Sequence, residues 1–236
     1  MSMLTFYDDA AGERTDLSAT DLGAWVAGTA DLLSAECRLK QGDRAAVLLP
    51  PHWQTAVVLL GAWSIGMTVG YRSAATAGLP TVGPGSEGPF DVVFASADRI
   101  RSILEDVPEA NHRYALGLAP YAAPLAEVPE GYWDFIADVQ GREGGLPPYQ
   151  GLRASDPASV DGTTFGAWQR LAQGTAEAMG IQSGDRVLIN AAEQDHPVKW
   201  LLAPLTAGAS VVLCANLDPA AVDRRVETEN VTRVLS

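Results

Sequence analysis

Lysine is scarce in this chain, and basic residues as a whole are fewer than acidic ones. The two lysines are Lys40 and Lys199, and 16 Lys and Arg residues stand against 29 Asp and Glu residues in a chain of 236, which gives a formal net charge of −13. Binding to nucleic acid or to an anionic membrane surface requires a clustered basic face, and no basic run supplies one. We therefore expect neither nucleic acid nor a membrane among the partners.

Cysteine, histidine and long apolar runs are also few. Cys37 and Cys214 lie far apart in apolar surroundings, which predicts reduced core thiols rather than a disulfide framework. His52, His112 and His196 lack the spacing of metal ligands, so we expect no metal site. No apolar run approaches the ~20 residues of a membrane span, and the first residues do not resemble a signal peptide. The sequence predicts a cytoplasmic protein.

An internal repeat organises what is present. Gly42-Asp-Arg44 recurs 142 positions later as Gly184-Asp-Arg186, and Gly23-Ala-Trp25 recurs 143 positions later as Gly166-Ala-Trp168. A third pair, Ala62-Trp-Ser-Ile-Gly66 and Pro204-Leu-Thr-Ala-Gly208, keeps the same offset. Matches in register over this distance indicate two copies of one supersecondary unit.

The pattern of apolar residues predicts the fold class. Residues 45–49 and 186–190 are apolar runs that do not alternate, as is typical of buried parallel strands, and helical periodicity covers 53–65 and 165–179. We expect an α/β fold of two related units with mostly parallel sheets covered by helices. Residues 1–145 would form the first unit and 146–236 the second, as one compact body of two subdomains.

Several segments resemble the adenylate-forming (AMP-binding) superfamily, which includes the acyl-CoA synthetases. The resemblance rests on Thr5-Phe-Tyr7 and on Gly42-Asp-Arg44 with Val47-Leu-Leu-Pro50. It also rests on Ala62-Trp-Ser-Ile-Gly66 and on its second copy, Pro204-Leu-Thr-Ala-Gly208. It implies a fold like part of the N-terminal domain of those enzymes. The layout is also similar to that of a small actinobacterial family of truncated homologues.

The resemblance fails at the loop that holds ATP in this superfamily. Its members have a loop of the form S-G-T-T-G-x-P-K-G, whose amides and lysine bind the phosphates. At this place the chain has Ala158-Ser-Val-Asp161-Gly162-Thr163-Thr164, with an added carboxylate and no following lysine. The sequence also ends before the family's adenine-binding and ribose-binding motifs and its C-terminal domain with the catalytic lysine.

Five residues remain as weak candidates for a cofactor site, and none is a catalytic candidate. Asp161, Gly162, Thr163 and Thr164 precede a helix, where they could bind an anion or simply cap the helix. His196 resembles the superfamily histidine that borders the substrate cleft, and the alternative is a partly exposed histidine beside a cap. ATP or AMP is possible here but not supported, so no cofactor is predicted.

These features predict a non-catalytic relative of the AMP-forming acyl-CoA synthetases that serves as a ligand-binding or protein-interaction module. The alternative is an enzyme, or a nucleotide- or acyl-binding protein, with a site at the junction of the subdomains that a partner chain completes. That alternative places Arg72, Arg153 or Arg186 at the cleft. A third possibility is a structural subunit of an assembly, and we expect a homodimer or a protein partner.

Overall fold

The computed structural model describes residues 2–73, 89–102, 107–142 and 151–235. The Gly- and Pro-rich composition of residues 141–151 predicts a connector, most of which lies outside these ranges. The chain divides into two compact units that are interleaved along the sequence. The terminal unit consists of Met1–Leu22, Pro51–Ala56 and Ala167–Ser236, and the central unit consists of Gly23–Pro50 and Val57–Gly166. The predicted division at residue 145 follows the internal repeat and stays a prediction.

The terminal unit is built on a five-stranded sheet. Its strands are β1 (Ser2–Asp8), β2 (Glu13–Ser18), β8 (Arg186–Asn190), β9 (Ser210–Ala215) and β10 (Arg233–Leu235). They lie in the order β10-β8-β9-β1-β2, and every neighbouring pair is parallel except β1 and β2. The apolar side chains of β8 and β9 are buried, as the lack of alternation predicts.

The central unit has a second five-stranded sheet. Its strands are β3 (Arg44–Leu48), β4 (Thr68–Tyr71), β5 (Phe90–Ser96), β6 (Ala110–Leu116) and β7 (Trp133–Asp134). The order is β4-β3-β5-β6-β7, and all the pairs are parallel. Leu48, Phe90 and Val93 belong to its buried core. Both sheets confirm the predicted α/β class.

Helices connect these strands. They are α1 (Ala19–Asp31), α2 (Trp53–Ser64), α3 (Ala97–Arg101), α4 (Phe135–Val139), α5 (Phe165–Ala178), α6 (Ala203–Ala207) and α7 (Val222–Glu229). Leu32–Glu36 and Val198–Leu202 are π-helical, and Pro120–Ala122 and Pro219–Ala221 are short 3₁₀ segments. The boundary between the two units falls inside α1 and α2 and near the start of α5.

The two predicted Gly-Asp turns have the same hydrogen bonds. The amide of Gly42 donates to the carbonyl of Gly66 at 2.9 Å, and the amide of Gly184 donates to the carbonyl of Gly208 at 3.0 Å. All four residues have positive φ, between 76° and 88°, a region that glycine adopts without a Cβ penalty. The expected equivalence of the turns is confirmed.

The strands that follow these turns also pair in the same register. Arg44 lies opposite Thr68, and Arg186 lies opposite Ser210, so both pairs keep the offset of 142 positions. In each copy, the carbonyl of the turn aspartate accepts the amide of the second residue of the pair at 2.9 Å. The repeat is therefore present in backbone hydrogen bonding as well as in sequence.

Two predicted helices are shorter than expected. The sequence predicts one helix over residues 195–207, but the π-helical segment begins at Val198 and α6 follows it. The sequence also predicts one helix over residues 131–139, whereas β7 precedes α4, which begins only at Phe135. Asp134 causes this break, because its backbone is extended and its carboxylate accepts the amides of Ile136 and Ala137 as an N-cap.

Candidate functional site

The segment that replaces the superfamily's phosphate loop lies in the central unit, directly before α5. Ser159 forms an isolated parallel bridge with Val69 of β4, and Pro157 forms an antiparallel bridge with Thr164. These bridges fix both ends of the segment, and Asp161 is exposed at its tip. The segment is therefore a tight turn attached to the sheet edge.

Four backbone amides of this turn are bonded within the turn itself, and the amide of Val160 donates to the carbonyl of Val69 at 3.4 Å. The carbonyl of Thr163 accepts the amides of Ala158 at 2.8 Å and Ser159 at 3.1 Å. The amide of Gly162 donates to the carbonyl of Ser159 at 3.0 Å, and the amide of Thr163 donates to Oδ1 of Asp161 at 2.9 Å. These four donors are thus already used and are not available to a bound anion.

Backbone amides in the first turn of α5 are likewise bonded to nearby carbonyls. The amide of Phe165 donates to the carbonyl of Asp156 at 3.0 Å, and the amide of Gly166 donates to the carbonyl of Ala154 at 2.8 Å. A Cβ on Gly166 would lie 2.9 Å from the Ala154 oxygen, which explains the glycine at this place. Backbone carbonyls therefore satisfy two of the helix-end donors that an anion would otherwise accept from.

His196 belongs to the terminal unit, whereas Asp161, Gly162, Thr163 and Thr164 share one turn of the central unit. Its Nδ1 accepts the amide of Val198 at 3.3 Å, so the histidine caps the π-helical segment. The ring stacks on Trp168, with centroids 5.6 Å apart and planes at 19°. Desolvation lowers the pKa of His196 below its usual value, with Asp195 opposing this effect.

A buried group in the terminal unit was not predicted from sequence. Nδ1 of His52 accepts the amide of Gln54 at 3.1 Å, a bond to the residue two positions on like the one that His196 makes to Val198. His52 is buried against Phe6, and its Nε2 lies 3.9 Å from a carboxylate oxygen of Glu13. Glu13 is too distant from His52 in sequence for any local pattern to indicate their contact.

Arg186, one of the arginines named for the enzymatic alternative, is bonded within the terminal unit. Its guanidinium donates to the carboxylate of Glu229 at 2.6 Å and to Oγ1 of Thr5 at 2.7 Å, within the terminal unit. Arg153 is exposed and Arg72 is half-buried, and both belong to the central unit. Arg186 is thus held by a buried carboxylate.

Other classes of site were searched in the described ranges. Residues 2–73, 89–102, 107–142 and 151–235 contain no group of three His, Cys, Asp or Glu side chains that could hold a metal ion. No helix in the same ranges has the length and apolar character needed to cross a membrane. Cys37 and Cys214 are both free and buried, which confirms the prediction of core thiols.

Comparison with known proteins identifies one relative by sequence. No protein-family model matches the chain. A protein of Mycobacterium tuberculosis described as a TIGR03089 family protein is 38% identical over 238 residues, a match that covers 98% of this chain and 90% of the relative.

Solved structures with the same fold are acyl-CoA synthetases. The acetoacetyl-CoA synthetase from Streptomyces lividans has a TM-score of 0.73 at 17% identity, covering 99% of this chain and 39% of that one. The acyl-CoA synthetase of Brucella canis gives 0.69 at 20% identity, with 99% and 44% covered. The N-terminal domain of FACL13 from Mycobacterium tuberculosis gives 0.67 at 14% identity, with 98% and 58% covered. The chain thus spans 39% and 44% of the two synthetase chains and 58% of the FACL13 N-terminal domain, and it shares their fold.

Proposed function

The chain belongs to the TIGR03089 family, and we propose that it is a non-catalytic relative of the AMP-forming acyl-CoA synthetases that acts as a ligand-binding or protein-interaction module. The fold supports the relationship to these enzymes. The closed turn before α5 supports the lack of catalysis, and this is the observation on which the proposal rests.

In the superfamily, free amides and a lysine hold the ATP phosphates at this place. Here Ser159, Gly162 and Thr163 donate their amides to acceptors of the same turn. The Asp161 carboxylate at the tip would repel a triphosphate, and no lysine stands directly after Thr164, since the next one is Lys199. Opening the turn for a nucleotide would break these bonds before any new ones formed.

The magnitudes favour the same conclusion. Enzymes lower the barrier of their reactions by about 8–23 kcal/mol, and phosphoryl chemistry depends largely on positioning and electrostatic stabilisation. A helix N-terminus contributes at most ~2 kcal/mol toward a bound anion. The start of α5 alone would therefore be insufficient for adenylation even if its amides were free.

The catalytic part of the proposal is tested by ATP–pyrophosphate exchange with short and long carboxylic acids, in the presence of Mg²⁺. We expect no exchange above the protein-free blank. A double variant, Thr163→Ala with Thr164→Ala, serves as the matched control for a site at this turn. Exchange by the natural chain that the double variant loses would overturn the proposal.

The binding part is tested by thermal unfolding with fatty acids, acyl-CoA, AMP and ATP, with and without Mg²⁺. A ligand at 100 times its Kd stabilises the folded state by about 2.7 kcal/mol, which raises the melting temperature measurably. A binding module predicts a shift with one of the acyl compounds and no turnover. A shift confined to ATP and AMP in Mg²⁺ would favour the alternative of a nucleotide site completed by a partner chain.

A further inference from the structure

The central unit contains a cavity of about 320 Å³ at the outer edge of its sheet. Tyr114 of β6 lies in register with Trp133 of β7, so both side chains are on the same face of this edge. Cys37 also lines the cavity and follows directly after the π-helical segment that succeeds α1. Its Sγ lies 3.4 Å from the Tyr114 hydroxyl. The rest of the lining is formed by Glu36, His112, Asp138 of α4 and Arg142.

Arg142 does not make the cavity positive. Its guanidinium pairs with Asp31 at 3.2 Å and with Glu36 at 3.5 Å, and its Nε donates to the backbone carbonyl of Asp138. Two carboxylates therefore more than balance the single guanidinium charge. An anionic ligand would compete with both of them for the arginine.

The Asp138 carboxylate, by contrast, accepts no hydrogen bond and forms no ion pair within the described part of the chain. Burial raises its pKa above the usual value, and Asp134 and Glu36 add to this effect while Arg142 opposes it. An ionised carboxylate in this environment is stabilised by a cation placed beside it.

The cavity also has an aromatic wall open to solvent. Trp133 is 64% exposed, although its register partner Tyr114 is buried. A tryptophan ring attracts a cation to its face and provides apolar contact for the body that carries the cation. The volume is at the lower end of the range for small-molecule sites, which limits the occupant to a small compound.

We propose that this cavity binds a small organic cation, an ammonium group on an apolar body, between the Asp138 carboxylate and the Trp133 ring. The site lies wholly within the central unit and does not involve the turn before α5. The inference is therefore independent of whether the chain adenylates carboxylic acids.

Three probes that share one ring and differ in charge test the proposal: benzylammonium, benzyl alcohol and benzoate. Titration calorimetry of the full chain is done at a pH where imidazoles are neutral. We expect saturable binding of benzylammonium, with an affinity about tenfold or more higher than that of benzyl alcohol. We expect no binding of benzoate. Equal binding of the alcohol, preference for benzoate, or no saturable binding of benzylammonium would overturn the proposal.

Two variants assign the binding to this cavity. Asp138→Asn keeps the shape and removes the charge, and should weaken benzylammonium about tenfold. Trp133→Leu should weaken it about threefold. Glu130→Gln removes an exposed charge from the chain outside the cavity lining and should leave the affinity unchanged. Circular dichroism melting verifies that each variant folds. If Glu130→Gln weakened the affinity for benzylammonium as much as Asp138→Asn, the binding would reflect general charge attraction. That result would contradict a site in this cavity.

Discussion

Glu229 shows how much a single residue contributes to the terminal unit. Its carboxylate accepts hydrogen bonds from the Tyr7 hydroxyl at 2.6 Å, from Arg14 at 2.8 Å and from Arg186 at 2.6 Å. Burial alone would raise the pKa of Glu229, but these donors outweigh it and lower the pKa to about 2. One carboxylate at the end of α7 therefore joins β1, β2 and β8.

Glu229→Gln should destabilise the protein by about 3 kcal/mol at neutral pH, because two guanidinium groups lose their buried counter-charge. Since the folded pKa is depressed, the stabilisation is fully present above the ordinary value of 4.5 and is lost as the pH falls toward 2. Urea unfolding at several pH values measures this, with the exposed Glu177→Gln as the control. A free-energy difference that persists unchanged at acid pH would contradict the assignment.

His52 predicts a second pH effect in a different range. Its burial lowers the pKa below 6.5, with Glu13 opposing, so the neutral ring is the form compatible with the fold. Stability should therefore decline as the pH falls below 6.5, because the unfolded chain binds a proton that the folded chain resists. His52→Asn, which retains an acceptor for the Gln54 amide, should flatten this part of the profile in urea unfolding. His112→Asn serves as the half-buried control, and an unchanged profile in His52→Asn would refute the interpretation.

At the scale of elements, α1 and α2 approach each other closely at a glycine. A Cβ on Gly61 would lie 2.5 Å from Cγ2 of Thr29, which is fully buried. Real Cβ atoms do not approach other atoms this closely, so one of the helices would have to move. The contact lies within the central unit, where both residues belong.

Gly61→Ala should therefore destabilise the protein by about 1–3 kcal/mol through overpacking, despite the better helix propensity of alanine. Gly174→Ala is the matched control, because Gly174 lies in α5 with nothing within 4 Å of a built Cβ. That variant should be neutral or stabilise by up to ~1 kcal/mol. Chemical denaturation compares the two, and equal effects at both positions would show that the helix approach is not close.

Local sequence patterns predict those elements whose own residues form an apolar run or a turn motif. β3 and β8 follow from apolar runs, and their turns follow from the repeated Gly-Asp motif. β1 and β2 were not predicted, because β1 pairs with β9 from the far end of the chain and β2 has the polar sequence Glu-Arg-Thr-Asp-Leu-Ser. β7 is a two-residue strand, too short for any periodicity.

The same reasoning explains which parts of the sites were predictable. The turn at Asp161–Thr164 was predicted because it stands where a known motif would be. Its closed hydrogen bonding was not, because the Asp161 side chain could equally have faced outward. The cavity was not predicted at all, since Cys37 and Tyr114 are 77 residues apart in sequence.

At the scale of the whole molecule, a homodimer or a protein partner remains our expectation. β10 is an edge strand of the terminal sheet, and Val234 on it is 42% exposed. Exposed edges of this kind are usually paired or covered. Light scattering at micromolar concentration should give the mass of a dimer for the natural chain and a lower mass for Val234→Lys. A monomer at every concentration would exclude the homodimer.

We propose that this chain, which has the acyl-CoA synthetase fold, does not hold ATP at the turn before α5. Titration calorimetry with MgATP measures this directly, using the natural chain and the Thr163→Ala, Thr164→Ala double variant. We predict no saturable heat that differs between the two proteins, because Asp161 and the carbonyls of the turn occupy its amides. Saturable binding by the natural chain that the double variant loses would contradict the claim.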